Sequence, residues 1–514
     1  MGNGTTLQHV DVLIVGAGLS GIGMACHLTR ECPTKSYAIL EARQDLGGTW
    51  DLFKYPGIRT DSDMHTFGYD FKPWKSNISI VEADLIKNYI QEAADEHDVT
   101  RHITFGRRVV DASWDSATST WTVTIRPEVD GQVVDSSVDG AVGEPTTMTC
   151  NWLQMCSGYY SYSEPHRPGF PGEERFGGEI VHPQSWPDHL QTAEQLDGKK
   201  IVVIGSGATA VTLIPALAKK GAHVTMLQRT PSWIFPAPAK NPIAAGLRAV
   251  LPEKVAYGAI RRMNTWRTEL AYKQTRTKPE KIEAMINKMV AKKLDGSKEM
   301  DPHFTPPYKP WDQRLCLAPD GDIFTAIKEG RADVVTDHIE TFDETGIVLR
   351  SGERIDADVI VTATGLSMLA LGGVTPVVDG ERIDIAETFT YKGFMYSGVP
   401  NLGTTFGYIN ASWTLRADLI ARYICRLLNK MDADGTTRAL PVADPGMPQR
   451  PYVDDFSAGY MQRRVHTFPK QSDRDPWTAS QSYAHDKKVL LAADADLADG
   501  VMEFSSPVRE PATA

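Results

Sequence analysis

The sequence predicts an α/β fold, and three observations support that class. The 514-residue chain holds two separate stretches in which a short apolar strand is followed by a glycine-rich turn, a helix and a second strand. A third apolar strand and a small turn follow in RIDADVIVTATG, residues 354–365. Hydrophobic residues make up 41% of the chain and charged residues 23%, the ordinary balance of a globular protein. The length is enough for two or three domains.

The first stretch, DVLIVGAGLSGIGMACHL, has the pattern of a dinucleotide-binding turn. Residues 12–15 form the strand, a helix begins near Ser20, and three glycines complete a GxGxxG motif: Gly16, Gly18 and Gly21. These glycines allow the tight turn, the approach of a pyrophosphate and close helix–strand packing, while the helix N-terminus offers free N–H groups. Glu41 ends the next strand 20 residues after Gly21, the spacing of an acid that binds a ribose hydroxyl. A plain turn is the alternative for the glycines alone.

The second stretch, KKIVVIGSGATAVTLIPALAKKGAHVTMLQRT, repeats this pattern with a different end. Residues 201–204 form the strand, and the turn has the form GxGxxA through Gly205, Ser206, Gly207, Ala208, Thr209 and Ala210. Arg229 and Thr230 follow the next strand in place of an acid. A guanidinium there is suited to a 2′-phosphate, which a carboxylate would repel. The alternative is a duplicated fold in which one copy no longer binds a nucleotide.

One unphosphorylated and one phosphorylated adenosine ribose together indicate FAD and NADPH. We therefore predict two Rossmann-like dinucleotide-binding domains, with the NADP domain inserted into the FAD domain and the strand at 354–365 leading the chain back. The predicted limits are 1–160 for the first part of the FAD domain, 161–388 for the NADP domain, and 389–514 for the second part of the FAD domain and the C-terminal tail. A helical insertion is expected at about 235–305.

Charge, cysteine spacing and hydropathy exclude several classes of protein. The net charge of −11, with no basic stripe, disfavours a nucleic-acid partner. The six cysteines form no C-x-x-C pair and no zinc spacing, so we expect no metal site, no disulfide-exchange centre and a reduced compartment. We expect no signal peptide, because residues 1–10 have neither a basic region nor an apolar stretch, and the uncharged run at 201–218 fits strand, turn and helix better than a membrane span. We expect a cytoplasmic protein without stable membrane insertion, as a monomer or homodimer.

The connector between the two glycine motifs carries the most specific pattern. Its sequence FGGEIVHPQSWP, residues 176–187, resembles the FxGxxxHxxxWP fingerprint of the Baeyer–Villiger monooxygenases, which are class B flavin monooxygenases. GGTW, YPGIRTD, QRTPSW and the ATG turn at 363–365 are further similarities, which extend over most of the chain. LGGTWDLFKYPGIRTD and YKPWDQRLCLAPDGD are similar to the subgroup of ethionamide-activating monooxygenases. From the residues alone, Gly177 and Gly178 permit hinge-like backbone angles and Trp186 anchors the segment.

This resemblance implies a reaction. NADPH would reduce FAD, and the reduced flavin would add O2 to give a C4a-peroxide that attacks a ketone, inserting one oxygen next to the carbonyl to form an ester or lactone. A sulfide or amine oxygenase of the same class is the closest alternative, and a non-catalytic flavin or nucleotide sensor is the alternative from a different class. Which ketone is used does not follow from the sequence; a linear or aryl-alkyl ketone is our expectation from the subgroup.

The resemblance also implies site residues. It assigns the catalytic cation to Arg314 in WDQRLCL, its paired acid to Asp61, and a positioning role to His182, for which a general-base role stays open. Arg59 and Thr60 match positions near the nicotinamide cofactor. Residues around FAD carry over as Ser20, Glu41, Thr49, Trp50, Asp61 and, more weakly, Val109. A surface ion pair is the alternative for Arg314, and a simple core aromatic for Trp50. Gln313 stands where the family often has Lys, which weakens the argument for strict NADPH preference.

Overall fold

The computed structural model describes residues 8–129, 132–133, 145–492, 497 and 499–507. The end of the predicted C-terminal tail, residues 508–514, lies outside these described residues. Among the helices that the structure describes, none combines the length and the apolar composition needed to cross a lipid bilayer.

The strands of the described residues are β1 (Gln8–Val15), β2 (Tyr37–Leu40), β3 (Ile103–Thr104), β4 (Arg107–Asp115), β5 (Thr120–Val129), β6 (Gln132–Val133), β7 (Thr146–Met155), β8 (Glu179–Val181), β9 (Lys200–Ile204), β10 (His223–Gln228), β11 (Ile234–Ala237), β12 (Cys316–Pro319), β13 (Ala332–Thr336), β14 (Ile339–Asp343), β15 (Gly346–Leu349), β16 (Arg354–Asp356), β17 (Val359–Thr362), β18 (Pro376–Val378), β19 (Glu381–Arg382), β20 (Thr390–Tyr391), β21 (Met395–Tyr396), β22 (Leu402–Thr404), β23 (Arg438–Pro441), β24 (Arg450–Pro451), β25 (Lys470–Gln471) and β26 (Met502–Ser505).

The α-helices are α1 (Leu19–Glu31), α2 (Thr49–Leu52), α3 (Met64–Phe67), α4 (Ala83–Glu96), α5 (Ala193–Leu196), α6 (Ala208–Lys219), α7 (Pro242–Val250), α8 (Glu253–Thr277), α9 (Pro279–Leu294), α10 (Asp322–Lys328), α11 (Trp413–Asp434), α12 (Gly459–Gln462) and α13 (Tyr483–Leu490).

The first sheet is built around β1, which pairs in parallel with β2 on one side and with β7 on the other. Its strand order is β19-β18-β4-β5-β7-β1-β2-β3, and β22 also pairs with β7. Successive residues of β1 enter different cores: Val12 and Ile14 pack with α1, α4 and α11, whereas Leu13 packs on the opposite face with Trp114 and Trp121. This alternation explains why residues 12–15 are continuously apolar, since the strand is buried on both faces.

The second sheet has the order β13-β10-β9-β17-β8, and all of its pairs are parallel. Ile201 and Val203 of β9 pack in the core that contains α6 and α10, while Val202 and Ile204 pack against the antiparallel strands β14 to β16. The repeat of strand, turn, helix and strand in the sequence thus becomes two parallel sheets of the same local design.

The chain passes between the sheets in the predicted order. Helices α7, α8 and α9 fall inside the range expected for the helical insertion, between β11 and β12. β17 lies in the second sheet, and β18 pairs with β4 of the first sheet, so the chain has returned before the predicted boundary at 388. The strand at residues 376–378 thus pairs with the first sheet although it precedes the predicted domain boundary. The domain limits themselves stay a prediction.

Candidate active site

A single cavity of about 940 Å³ borders both glycine-rich turns. It lies at the carboxyl ends of the central strands, where β1 is followed by Gly16 and β9 by Gly205. Loops at this edge of an open parallel sheet form ligand sites because neighbouring helix N-termini and strand ends converge there. One continuous cavity therefore joins the two predicted nucleotide sites.

The first glycine turn leaves no room for a side chain at Gly16 or at Gly21. Gly16 has a φ of +104°, and a Cβ there would lie 2.6 Å from the carbonyl oxygen of Cys156. A Cβ on Gly21 would lie 1.8 Å from the carbonyl oxygen of Gly16, so this glycine is required for packing between α1 and β1. Gly18 precedes α1 and supplies no side-chain cap. The first N–H groups of the helix are thus available to an anion in the cavity.

Glu41 lies at the end of β2 with its carboxylate buried against the same turn. Its Oε2 accepts a hydrogen bond of 2.6 Å from the N–H of Ala17, and its Oε1 accepts one of 2.9 Å from the N–H of Arg43. Burial raises the pKa of the Glu41 carboxyl, although these N–H groups act in the opposite direction. Each carboxylate oxygen has a further lone pair, so the fixed side chain can still accept from a ribose hydroxyl.

The second glycine turn is more open. Gly205 has a φ of +122° and a Cβ there would lie 2.5 Å from the carbonyl oxygen of Ala363, whereas a Cβ on Gly207 would meet no atom within 4 Å. The empty side of Gly207 faces the position where a pyrophosphate approaches such a turn. Ser206 donates to the carbonyl oxygen of Thr230 over 3.1 Å, which links the turn to the end of β10.

Arg229 provides an uncommitted positive charge at this end of the cavity. It is exposed, it borders the cavity, and it forms no ion pair or hydrogen bond within the described part of the chain. Gln313 borders the same cavity. A free guanidinium beside the second turn fits a phosphate on the adenosine ribose, because its planar fork binds phosphate oxygens in pairs.

Arg314 and Asp61 form an ion pair at the wall of the cavity. The Nη2 of Arg314 donates to Oδ2 of Asp61, and its Nη1 donates to the carbonyl oxygen of Ile409. The guanidinium also lies 5.7 Å from the ring centre of Trp311. Burial acts to lower the pKa of Arg314, but the Asp61 carboxylate together with Tyr460, Tyr159 and Cys316 outweighs it, and the pKa is raised. The side chain is therefore a permanent, oriented cation.

Most of the predicted site residues border the cavity. They are Gly16, Gly18, Ser20, Glu41, Thr49, Trp50, Arg59, Asp61, Val109, Gly205, Ser206, Gly207, Ala208, Thr209, Arg229, Thr230, Gln313 and Arg314. Within this group, the hydroxyl of Ser20 accepts from Nε1 of Trp413 over 2.8 Å, and that of Thr49 is 2.7 Å from the hydroxyl of Tyr160. Arg59 is committed to an ion pair, with Nη1 2.5 Å from Oδ2 of Asp322.

Four predicted residues do not border the cavity. Gly21 and Ala210 lie one helical turn into α1 and α6 and are buried against the sheets. Thr60 is buried, and its hydroxyl accepts from the N–H of Val81 over 3.3 Å. His182 is buried in the connector and accepts at Nδ1 from the N–H of Gln184 over 3.1 Å. Burial, with Arg167 nearby, lowers the pKa of His182 to about 4, so its ring is neutral at neutral pH.

The connector packs closely against both halves of the site, and its two glycines do not adopt left-handed backbone angles. Neither Gly177 nor Gly178 has a positive φ, and a Cβ on Gly178 would lie 2.4 Å from the carbonyl oxygen of Asp358. Trp186 is buried and donates to the carbonyl oxygen of Leu190 over 3.1 Å. The side chain of Gln184 donates to the carbonyl oxygens of Ser161 and Tyr162 over 2.9 and 2.7 Å. Gly178 is therefore required by close approach, which differs from the expectation of hinge-like angles.

Sequence reasoning missed the aromatic residues of the cavity wall. Tyr159, Tyr160 and Tyr162 follow β7, and Phe406 and Trp413 follow β22, which pairs with β7. Tyr159 stacks on Trp413 with ring centres 5.2 Å apart and contacts Phe406 at 5.3 Å. A signal for the first group was present, since β7 runs parallel to β1 and the residues after both strands meet at one edge.

The residues present fit two dinucleotides. The uncapped α1, the tight turn and the fixed carboxylate of Glu41 suit the pyrophosphate and ribose of FAD. The uncapped α6, the open side of Gly207 and the unpaired Arg229 suit NADP.

Comparison with known proteins gives consistent matches. The family model for flavin-binding monooxygenase-like proteins matches residues 9–371. The FAD-containing monooxygenase EthA of Mycolicibacterium smegmatis is 48% identical over 490 residues, covering 94% of this chain and 95% of that protein. EthA of Mycobacterium tuberculosis (strain ATCC 25618 / H37Rv) is 46% identical over 492 residues, covering 95% and 96%. A probable FAD-binding monooxygenase, AlmA of Acinetobacter baylyi, is 43% identical over 499 residues, covering 97% and 96%.

Two solved structures share the fold over almost the whole chain. An oxidized steroid monooxygenase bound to NADP has a TM-score of 0.72 at 21% identity, with 97% of this chain and 100% of that chain covered. A cyclohexanone monooxygenase bound to epsilon-caprolactone has a TM-score of 0.72 at 19% identity, with the same coverage. These likenesses confirm the predicted α/β fold class. With matches over most of its length at the levels of family, relatives and fold, the chain belongs to the flavin-binding monooxygenase-like family.

Proposed function

We propose that this protein is an FAD- and NADPH-dependent Baeyer–Villiger monooxygenase that inserts one oxygen atom of O2 next to the carbonyl of a ketone. The observation that carries the proposal is the Arg314–Asp61 pair, which fixes a cation at the wall of the cavity shared by both glycine turns. FAD, when bound, supplies the activation of O2. The protein has to supply position, charge and exclusion of water.

Arg314 is suited to stabilise negative charge on oxygen. Attack on a carbonyl moves charge onto the carbonyl oxygen, and a cation already oriented towards the cavity stabilises that charge without reorganisation. Asp61 and the carbonyl oxygen of Ile409 hold two of the guanidinium nitrogens, so the remaining N–H groups have a defined direction. Because the pKa of Arg314 is raised, the charge is present at every working pH.

The aromatic wall supports an apolar substrate. Tyr159, Phe406 and Trp413 form one contact group next to the loop that holds Arg314 through Ile409. Aromatic rings offer large apolar contact area with defined edges and faces. We infer a linear or aryl-alkyl ketone, bound with its carbonyl towards Arg314 and its apolar part against these rings.

We infer preference for NADPH over NADH from Arg229. Its guanidinium is free to bind a 2′-phosphate, and the absence of a second cation at Gln313 leaves it as the main determinant. We further propose a cytoplasmic protein that is a monomer or a homodimer. All six cysteines are buried free thiols, which suits a reduced compartment.

The test is product analysis with purified FAD-loaded protein, NADPH, air and a panel of linear, aryl and cyclic ketones together with a thioether. We expect esters or lactones one oxygen heavier than the ketone, detected by gas chromatography–mass spectrometry. Arg314→Ala should lower kcat by about 100- to 1000-fold, as the loss of one oxyanion donor does, with FAD content unchanged. Arg314→Lys keeps the charge but not the fork, and should recover only part of the rate.

A second outcome would favour the alternative reaction of the same class. If the thioether gives sulfoxide while every ketone stays unchanged, the protein is a heteroatom monooxygenase. Equal ester formation by wild type and Arg314→Ala would remove the arginine from the chemistry. NADPH oxidation without any oxygenated product would instead contradict the monooxygenase proposal.

A further inference from the structure

The helical insertion carries an apolar surface that faces solvent. On α8, the side chains of Val255, Trp266 and Leu270 are 56%, 61% and 37% exposed, and their spacing of 11 and 4 residues places them on one side of the helix. Val250, at the end of α7, is 76% exposed and lies five residues before Val255. We call Val255, Trp266 and Leu270, with the cations Arg262 and Lys273 on the same side of α8, the outer face.

The insertion is also strongly basic in an acidic protein, which corrects the expectation that the chain has no basic stripe. Residues 242–294 contain 12 Lys and Arg against 4 Asp and Glu, a net charge of +8, whereas the whole chain has −11. On α9, the exposed Met285 is surrounded at helical spacing by Lys281, Lys288 and Lys292. Neither these lysines nor Arg262 and Lys273 form an ion pair with any residue that the structure describes. Arg248, Arg261 and Arg276 of the insertion do form ion pairs, but the exposed cations of α8 and α9 named above have no anionic partner among the described residues.

The opposite side of α8 is fixed to the rest of the protein. Tyr257 and Arg261 are buried there and donate to backbone carbonyls of residues 65–69. The outer face is therefore presented on a helix with a defined orientation. It contributes no residue to the cavity wall, so its chemistry is independent of the oxygenation site.

We propose that the outer face docks this protein on an anionic lipid surface. Amphipathic helices that lie in the plane of a membrane combine apolar side chains, Trp in particular, with Lys and Arg. The apolar residues enter the boundary between headgroups and acyl chains, and the cations contact anionic headgroups. This is peripheral attachment in the membrane plane and requires no spanning segment.

Charge argues for lipid over the other possible occupants. A second copy in a two-fold dimer would place the same patch on both sides of the interface, so unpaired cations would face cations. A nucleic acid would match the charge but would leave Val255 and Leu270 without apolar partners. A lipid surface satisfies both the charge and the apolar side chains.

The test is co-sedimentation of the FAD-loaded protein with vesicles of phosphatidylcholine alone and of phosphatidylcholine with phosphatidylglycerol, at low and high ionic strength. We expect binding to the anionic vesicles at low ionic strength and weak binding to the neutral ones. Arg262→Glu combined with Lys273→Glu should weaken binding by at least about tenfold, since each basic residue near the surface contributes several-fold. Trp266→Ser should weaken it at both ionic strengths.

The controls are Leu85→Ser, an apolar residue on α4 that is 46% exposed, and Lys488→Glu on α13, and both should bind like wild type. FAD content and melting temperature should be unchanged in all variants because the side chains are exposed. Equal binding to neutral vesicles, or wild-type binding by the outer-face variants, would overturn the proposal. Absence of binding to any of the vesicles would also overturn it. If light scattering shows that the wild type is a dimer and that Trp266→Ser dissociates it, the outer face is instead a self-association surface.

Discussion

The guanidinium of Arg229 borders the cavity at the end of β10 and has no partner in the described part of the chain. Arg229→Ala should raise the KM for NADPH by about tenfold to a hundredfold, because a charge-assisted contact to the 2′-phosphate is lost. The KM for NADH should stay within about twofold, since NADH has no phosphate at that position. Steady-state kinetics with both coenzymes measures this difference. Gln313→Lys is the converse variant and should lower the KM for NADPH alone.

Loss of activity with both coenzymes to the same extent would contradict this assignment of Arg229. It would show that the side chain supports the fold of the turn rather than the recognition of the phosphate. FAD content provides the control, because the first glycine turn lies on the other sheet and should be unaffected.

A second prediction at the scale of single residues concerns His182, whose ring is kept neutral by burial. The pKa is lowered from its ordinary value near 6.5 to about 4, so the unfolded chain binds a proton in this interval while the folded chain does not. The free energy of unfolding should therefore decrease as the pH falls from 6.5 towards 4. The total decrease should be on the order of 3 kcal/mol at most. Urea unfolding across this interval measures the slope.

The matched variant is His182→Asn, which keeps an acceptor for the N–H of Gln184 but has no titrating ring. Its free energy of unfolding should change less between pH 6.5 and 4 than that of wild type. An identical pH dependence in both proteins would show that other groups cause the acid lability. A general-base role predicts instead a loss of kcat with a shifted pH profile.

At the scale of elements, a buried arginine is one of the contacts that fasten the insertion to α3 and α11. Arg261 of α8 donates to Asp418 of α11 over 3.1 Å and to the carbonyl oxygens of Thr66 and Gly68 in and beside α3. Arg261→Ala should lower the free energy of unfolding by about 3–5 kcal/mol, because it leaves a buried carboxylate short of its partner. Chemical denaturation measures this change, and limited proteolysis between residues 242 and 294 should become faster.

The neighbouring Arg262 is the control for that change. It lies on the exposed side of α8 without an ion pair in the described chain, so Arg262→Ala should alter stability by no more than about 0.5 kcal/mol. Equal effects of the two substitutions would mean that helix propensity, rather than the buried contacts, determines the cost.

Sequence patterns predicted elements well where one physical rule governs them. The strand, turn and helix around Gly16 and Gly205 were predictable because each glycine meets a steric limit that no other residue satisfies. The insertion was predictable as helical, but not its attachment, since the contact between Arg261 and Asp418 joins residues 157 positions apart. The return to the first sheet at β18 had no local signal, because a three-residue strand is defined only by its partner β4.

For the candidate site, the sequence indicated most of the residues that border the cavity but not the aromatic residues of the cavity wall. Arg314 and Asp61 came from resemblance, and their contact across the chain is a feature of the fold. Thr60 matched a motif position, but its side chain is buried in the protein. The motif could not predict this, because a short peptide pattern gives no information on side-chain direction. The group of Tyr159, Phe406 and Trp413 comes from two segments distant in sequence, one after β7 and one between β22 and the start of α11, and the pairing of β22 with β7 brings them together.

At the scale of the whole molecule, Gln184 links the connector to the loop after β7. Its side-chain amide donates to the carbonyl oxygens of Ser161 and Tyr162, and Tyr162 borders the cavity. Gln184→Met keeps the volume but removes both bonds, so FAD affinity should fall by about tenfold to a hundredfold, at about 1 kcal/mol for each bond. Titration of the apoprotein with FAD, followed by flavin fluorescence, measures this. Gln91→Met on α4 is the control, because within the described residues that amide bonds only to the nearby Asp95 and Thr100, and it should leave the affinity unchanged. If Gln184→Met binds FAD like wild type but its KM for NADPH rises, the connector supports the NADP side alone, and the proposed link between the two halves of the site is wrong.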